Sequence, residues 1–216
     1  GWYEHEFQGY GYDFPAPADR IRIMRETVEI VTAMWSQPEV TYEGRHFQLS
    51  GAQCDPKPLQ TPRPQVLIGG GGEKKTLRLV AQYADACNLF AGPDVERKLD
   101  VLRGHCADVG RDYDDIEKTV LYDYDEISKT WSPEIMIRES EQEIIERGSL
   151  SMRREPMESW REGNLVGTPE QVADRIVQYV EMGCTGFYPW CSDYPETETL
   201  RLFAEQVVPE VRRMVG

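Results

Sequence analysis

Hydrophobic positions along the chain follow two rhythms, one of helical period and one of strand length. Ile21, Met24, Val28, Val31 and Trp35 recur at steps of three and four, which puts them on one face of a helix. Asp13 or the Pro15-Ala16-Pro17 run opens that helix, and Pro38 lies just past its end. A second helix is expected over 73–84, burying Leu77, Val80, Ala81 and Ala84. A third carries Val95, Leu99, Leu102 and Cys106 on one side and stops at Gly110. The fourth opens at Thr168-Pro169-Glu170, a capping residue followed by Pro in the first turn, and ends at Gly183. The last shows Leu200, Phe203, Val207, Val211 and Met214.

Between these helices lie apolar runs of strand length at 65–68, 86–90, 119–122 and 185–188. None alternates cleanly, as expected for strands covered on both faces of a parallel sheet. Strand followed by helix, four times over, is the rhythm of an α/β fold. Residues 40–49 read as a small hairpin turning at Glu43-Gly44. The stretch 123–166 is long for one connection, even with a helix around 133–147, and reads as an insertion of the lid or binding-loop kind. Four βα units are half of a (β/α)8 barrel, so the rhythm alone leaves a partial barrel and a small open sheet both open.

Composition narrows the functional classes. With 40% hydrophobic residues in 216, the chain is that of an ordinary globular protein. Its 38 acidic against 24 basic residues give a net charge of −14, with no concentrated basic face, so nucleic acid is not an expected partner. No apolar run approaches the ~20 residues of a membrane-spanning helix. Cys54, Cys87, Cys106, Cys184 and Cys191 are odd in number and lack CxxC spacing, which argues against a disulfide framework and a zinc site. They read as reduced thiols in a cytoplasmic protein. The opening Gly1-Trp2-Tyr3, without Met or a signal-like segment, reads as that of a fragment or a processed chain.

The sharpest chemical feature is Gly69-Gly70-Gly71-Gly72, lying between a buried strand and a helix. Glycines let backbone approach a ligand closely, and a helix N-terminus offers unpaired N–H groups, a combination that suits a phosphate. Lys74, Lys75 and Arg78 make this the locally basic spot of an acidic chain. The spacing is neither that of a Walker A loop nor that of GxGxxG. The bland alternative is a flexible turn. The segment Gly1-Trp2-Tyr3-Glu4-His5-Glu6-Phe7 is either a loop facing a planar cofactor or a frayed end. His46 and His105 read as surface or packing residues, and three dispersed histidines do not suggest a metal site. Asp123, Asp125 and Glu126 raise glycoside hydrolysis, against a merely solvated loop. Arg153 and Arg154 would reach an acidic cofactor tail or remain a solvated pair. Pro56, Pro58, Pro62 and Pro64 form an extended lead-in to the first strand of the sheet.

These residues together resemble the luciferase-like monooxygenases and their deazaflavin-dependent relatives. The likeness runs through Gly1-Trp2 with Glu6, Asp13-Phe14-Pro15, Arg20, Met34-Trp35, the Tyr42-x-Gly44-x-x-Phe47 hairpin and Pro56-Lys57-Pro58-x-Gln60-x-Pro62. Its most specific part is Ile68 through Ala81 with Tyr83-Ala84-Asp85-Ala86-Cys87-Asn88. Gly110-Arg111-Asp112 and Gly167-Thr168-Pro169-Glu170-Gln171-Val172 complete it, leaving out the insertion. The resemblance implies a (β/α)8 TIM barrel of the bacterial luciferase-like type, homodimeric when full length. Only the C-terminal part is expected here, as one domain over 1–216. It implies an oxidoreductase with cofactor phosphate at Gly69, Gly70, Gly71 and Gly72, and with Gly1, Trp2 and His5 beside the ring or its ribityl chain. The Glu73-Lys74-Lys75-Thr76-Leu77 wording is similar to a subgroup using coenzyme F420 on a small organic substrate; FMN and a monooxygenase activity are the alternative, and a non-catalytic barrel fragment a third. No catalytic acid or base follows from the resemblance.

Overall fold

The apolar runs of strand length pair side by side and in one direction. A computed structural model describes residues 1, 3–121, 134–150, 157–188, 190–191, 193 and 195–216. In chain order it holds α1 (Glu4–Gly9), α2 (Pro17–Ser36), β1 (Val40–Glu43), β2 (Gln48–Ala52), β3 (Leu67–Gly69), α3 (Thr76–Tyr83), β4 (Ala86–Phe90), α4 (Val95–Val109) and β5 (Glu117–Leu121). There follow β6 (Glu134–Ile137), α5 (Glu141–Leu150), α6 (Met157–Gly163), β7 (Leu165–Gly167), α7 (Pro169–Glu181), β8 (Gly186–Tyr188) and β9 (Trp190–Cys191). The C-terminus is α8 (Glu198–Leu202), a wide π turn (Phe203–Val207) and α9 (Val208–Val215). That π turn stands just before Pro209, whose ring would clash with the carbonyl four residues back in a regular helix.

The sheet β3-β4-β5-β8 is parallel throughout, and α3, α4 and α7 follow its successive connections, the last after an insertion. This is the expected arc of a (β/α) barrel. The stripes anticipated for α3 and α4 are buried: Leu77, Val80, Ala81, Leu99, Leu102 and Cys106 pack with Ile68, Cys87, Leu89 and Val120 of the strands. The α2 stripe is half-buried, and Leu200 and Met214 of the last are exposed. Gly110 ends α4 in the left-handed conformation at φ 70°, where a side chain would be strained. Thr168 caps α7 through a reciprocal capping box with Gln171.

The insertion departs from expectation. Instead of a helix around 133–147, residues 134–137 form β6 and the helix begins only at Glu141. The run Ile135-Met136-Ile137 is buried between β7 and β9 in a second parallel sheet, and that cover suits a strand better than an amphipathic helix. Trp160, Ile144, Met136 and Val166 form its own small core. The segment after Gly1 is likewise helical, as α1, where a loop was expected.

Two carboxylates tie the non-sheet segments down. Glu26 of α2 is buried and accepts the backbone N–H groups of Arg45, His46 and Phe47 at 3.0, 2.9 and 3.1 Å, docking the β1–β2 turn on the helix. Asp85 receives the Arg63 guanidinium at 2.5 and 3.1 Å and the Val66 N–H at 2.7 Å, fixing the proline lead-in beside β4. Burial by itself would raise both carboxyls. The three turn N–H groups at Glu26, and Arg63 with Val66 at Asp85, outweigh it and hold both below the ordinary range.

Two outcomes follow. A carboxyl held below its unfolded-state value adds stability above that value and loses it as pH falls through the folded one. Urea midpoints should therefore drop as pH falls below the usual carboxylate range, and Glu26→Gln with Asp85→Asn should flatten that drop while lowering the midpoint at neutral pH. An unaltered pH slope in the double variant would contradict the two anchors. Leu102→Ala, emptying a fully buried position between α4 and the sheet, should cost about 2–5 kcal/mol in the same assay.

Candidate functional site

Strand register sorts the four-stranded sheet onto two faces. Ile68, Cys87, Leu89 and Val120 lie in the core against α3 and α4. The alternate residues occupy the opposite, inner face in rows across the strands. Leu67, Ala86 and Glu117 lie nearest the N-terminal ends, then Gly69, Asn88, Thr119 and Gly186, then Phe90, Leu121 and Tyr188 at the C-terminal ends.

The middle row is neutral and internally bonded. Thr119 Oγ1 accepts from Asn88 Nδ2 at 2.8 Å and donates to the Cys87 carbonyl at 2.8 Å. Its two glycines differ in kind. A Cβ on Gly186 would strike Thr119 Cγ2 at 2.7 Å, so packing inside the protein demands glycine there. A Cβ on Gly69 would meet nothing within 4 Å, so the protein itself does not need that space empty. Beneath this row, burial pushes the Cys87 thiol up to about 11, which makes it a packing group rather than a nucleophile at neutral pH.

From Gly69 the chain leaves the sheet at the C-terminal end of β3. Gly70 sits at φ 112°, open to glycine and strained for other residues, and its N–H donates to the Asn88 carbonyl at 2.9 Å. No side chain caps the start of α3. Two polar side chains close on the loop: a Cβ on Gly71 would stand 3.0 Å from Lys98 Nζ, and one on Gly72 would stand 2.7 Å from Thr76 Oγ1. Backbone N–H groups, a hydroxyl and an ammonium around a glycine cradle are a donor set that fits a phosphate. Helix α4 holds the loop in place from the side. His105 Nε2 contacts the Glu73 carbonyl at 2.8 Å, and Arg97 pairs with the Glu73 carboxylate.

Of the residues anticipated from sequence, Gly69, Gly70, Gly71 and Gly72 thus gather with Thr76, Asn88 and Lys98. Lys74 and Lys75 are exposed, and Arg78 pairs with Asp108 at 3.6 Å, so the cation over the loop is Lys98 instead. Lys98 was not legible locally, because it comes from the next helix; only the buried stripe Val95-Leu99-Leu102 fixed which way α4 faces. Gly1 is exposed beside the Phe7 ring, and His5 is exposed on α1 with its ring 5.7 Å from that of Tyr3. Neither shares a hydrogen bond or ring contact with the glycine loop among the described residues. Trp2, Asp123, Asp125, Glu126, Arg153 and Arg154 lie outside the described residues. His46 stands 3.7 Å from Asp19, away from the loop in sequence and bonding. Arg20 lies 4.0 Å over the Phe14 ring and donates to the Pro15 carbonyl at 2.7 Å, which gives that quoted turn a structural role. A cleft of about 590 Å³ lined by Arg63, Asp85, Asp114, Glu117, Lys118 and Thr185 opens at the N-terminal ends of the strands, the wrong end for the loop. The described residues contain no cluster of metal-ligating side chains and no helix long and apolar enough to cross a membrane.

Comparison with known proteins bears on family and fold. The family model described as luciferase-like monooxygenase matches residues 1–122. An F420-dependent glucose-6-phosphate dehydrogenase of Microbacterium testaceum is 26% identical over 220 residues, covering 94% of the chain and 64% of that protein. An FMNH2-dependent dimethylsulfone monooxygenase of Pseudomonas putida is 25% identical over 246 residues, covering 99% of the chain and 64% of that protein. The chain therefore spans a little under two thirds of the length of these relatives. Among solved structures, an F420-dependent secondary alcohol dehydrogenase in complex with an F420–acetone adduct superposes with a TM-score of 0.72 at 19% identity, covering 93% of the chain and 64% of that structure. The structural likeness bears on fold, and it fits a partial (β/α)8 barrel.

The loop's backbone demands can be read from stability. Gly70→Ala should lower unfolding free energy by about 1–2 kcal/mol, because its φ suits only glycine. Gly69→Ala, with open space for its Cβ, should leave urea stability unchanged or slightly raised. Equal losses at the two positions would contradict the distinction drawn between them.

Proposed function

The chain belongs to the luciferase-like monooxygenase family, and on that premise we propose that it is the cofactor-holding part of an oxidoreductase that moves a hydride to or from the deazaflavin coenzyme F420, on a small organic substrate. The observation that carries this reading is the glycine cradle at the C-terminal end of β3, with Lys98 and Thr76 closing on it. In barrels of this class the C-terminal face is where chemistry is done. Several F420-dependent relatives across nearly the whole chain support F420 as the cofactor. When bound, the coenzyme supplies the hydride-carrying carbon, and the protein supplies orientation and exclusion of water.

On this reading N–H groups of the loop and of the first turn of α3, other than those of Gly70, Leu77 and Leu79, which already bond chain carbonyls, bind the phosphate, and Lys98 offsets its charge. Asn88 and Thr119 form a neutral floor, and Gly69 leaves the volume the ligand enters. Gly1, Trp2 and His5 are the residues proposed to line the ring or its ribityl chain, and the protein is proposed to act as a homodimer. The whole chain forms a single barrel domain interrupted by an insertion near 123–166. A second reading, an FMN-dependent monooxygenase, is favoured by the Pseudomonas putida relative that spans 99% of the chain.

Fluorescence titration with F420 and with FMN tests both readings. One of the two should bind. Gly69→Val, which fills space the protein itself leaves open, should abolish that binding while unfolding like the parent. Lys98→Met should weaken it by about tenfold or more, the worth of a charge-assisted hydrogen bond. Binding that survives Gly69→Val would remove the cradle from the cofactor site.

A further inference from the structure

The inner face of the sheet carries a second feature that the phosphate cradle does not use. Phe90 and Tyr188 remain 37% and 51% exposed, although large aromatic side chains on a strand normally find cover. They stand in one row with Leu121, at the C-terminal ends of three neighbouring strands. Leu67, at the other end of β3, is exposed on the same face. Its row lies deep in a closed barrel, where further strands would cover it, whereas the Phe90 row faces the mouth.

We propose that Phe90, Leu121 and Tyr188 form the wall on which the planar three-ring system of the bound cofactor lies, in line with the phosphate at the glycine cradle. The inference rests on the cofactor reading above and assigns residues to the ring half of the same ligand. Continuity is the first support. The Gly70 N–H bonds the Asn88 carbonyl, two residues before Phe90, so the cradle and the row begin on adjacent strands. Size is the second. From Phe90 to Tyr188 is two strand spacings, about 10 Å, comparable to the long axis of three fused rings. Chemistry is the third. The row is uncharged and apolar, with aromatic faces at both ends, and the row beneath it holds the neutral Asn88 and Thr119. A ring system that is flat, polarisable and edged with hydrogen-bonding groups matches that pairing of an apolar wall with a neutral polar floor.

The test separates the two halves of the ligand by titrating the protein with F420, FMN and riboflavin, the last having the ring without the phosphate. Tyr188→Ala and Phe90→Ala should each weaken all the ring-bearing ligands that bind, riboflavin included, by about tenfold, the usual worth of one aromatic stacking partner. Tyr188→Phe should restore the affinity, since it keeps the ring. Lys98→Met should weaken only the phosphate-bearing ligands. Circular dichroism of each variant, with Tyr188→Leu and Phe90→Leu in reserve, guards against misfolding as the cause. If the alanine variants bind riboflavin as the parent does, the wall is overturned. If they weaken binding while Lys98→Met changes nothing, the phosphate reading falls and the wall stands. If the parent binds none of the three, both are overturned.

Discussion

Parallel pairing of β3, β4, β5 and β8 is the constraint on which the rest of the molecule depends. Because the register is unbroken, each strand contributes its alternate residues to the same face at the same height. One face is then apolar enough to bury α3 and α4, and the other carries Gly69, Asn88, Thr119 and Gly186 in line. A slip of one residue in any strand would exchange its two faces, burying Asn88 or Thr119 under the helices and exposing Cys87 or Val120. The site is thus a by-product of the same hydrogen bonds that build the core.

The segments outside the sheet are held by polar anchors instead. Glu26 gathers three N–H groups of a tight turn, and Asp85 gathers an arginine and a strand N–H. Glu29 does a related job nearby, accepting the phenols of Tyr42 and Tyr83 at 2.5 Å each. Burial together with that carboxylate pushes both phenols up to about 12. Hairpin, helix α2 and helix α3 are therefore joined through the carboxyl groups of Glu26 and Glu29. An acidic chain finds such anchors readily, which gives part of its charge of −14 a structural use.

Around the glycine loop the division of labour is between two helices. Helix α3 offers its uncapped start, while α4 brings Lys98, Arg97 and His105 across to the loop and the turn after it. The two lysines that follow the glycines in sequence point to solvent. Charge at the loop is therefore set by packing of α4 against the sheet, through Leu99 and Leu102, as much as by the loop's own residues.

Much was determined by the sequence alone. The buried stripes of α3, α4 and α7, the half-buried one of α2, the stop at Gly110, the cap at Thr168 and four of the strands follow from local periodicity and turn chemistry, which act over a few residues. The motif wording pointed to the family, and the four glycines marked the candidate site. Other features belong to the tertiary structure. Whether 134–137 was strand or helix depended on partners at 165–167 and 190–191, because a short apolar run takes its form from what covers it. Lys98 reached the glycines only once α4 had packed. Phe90, Leu121 and Tyr188, separated by 31 and 67 residues along the chain, became one row only through strand register, which no local pattern encodes.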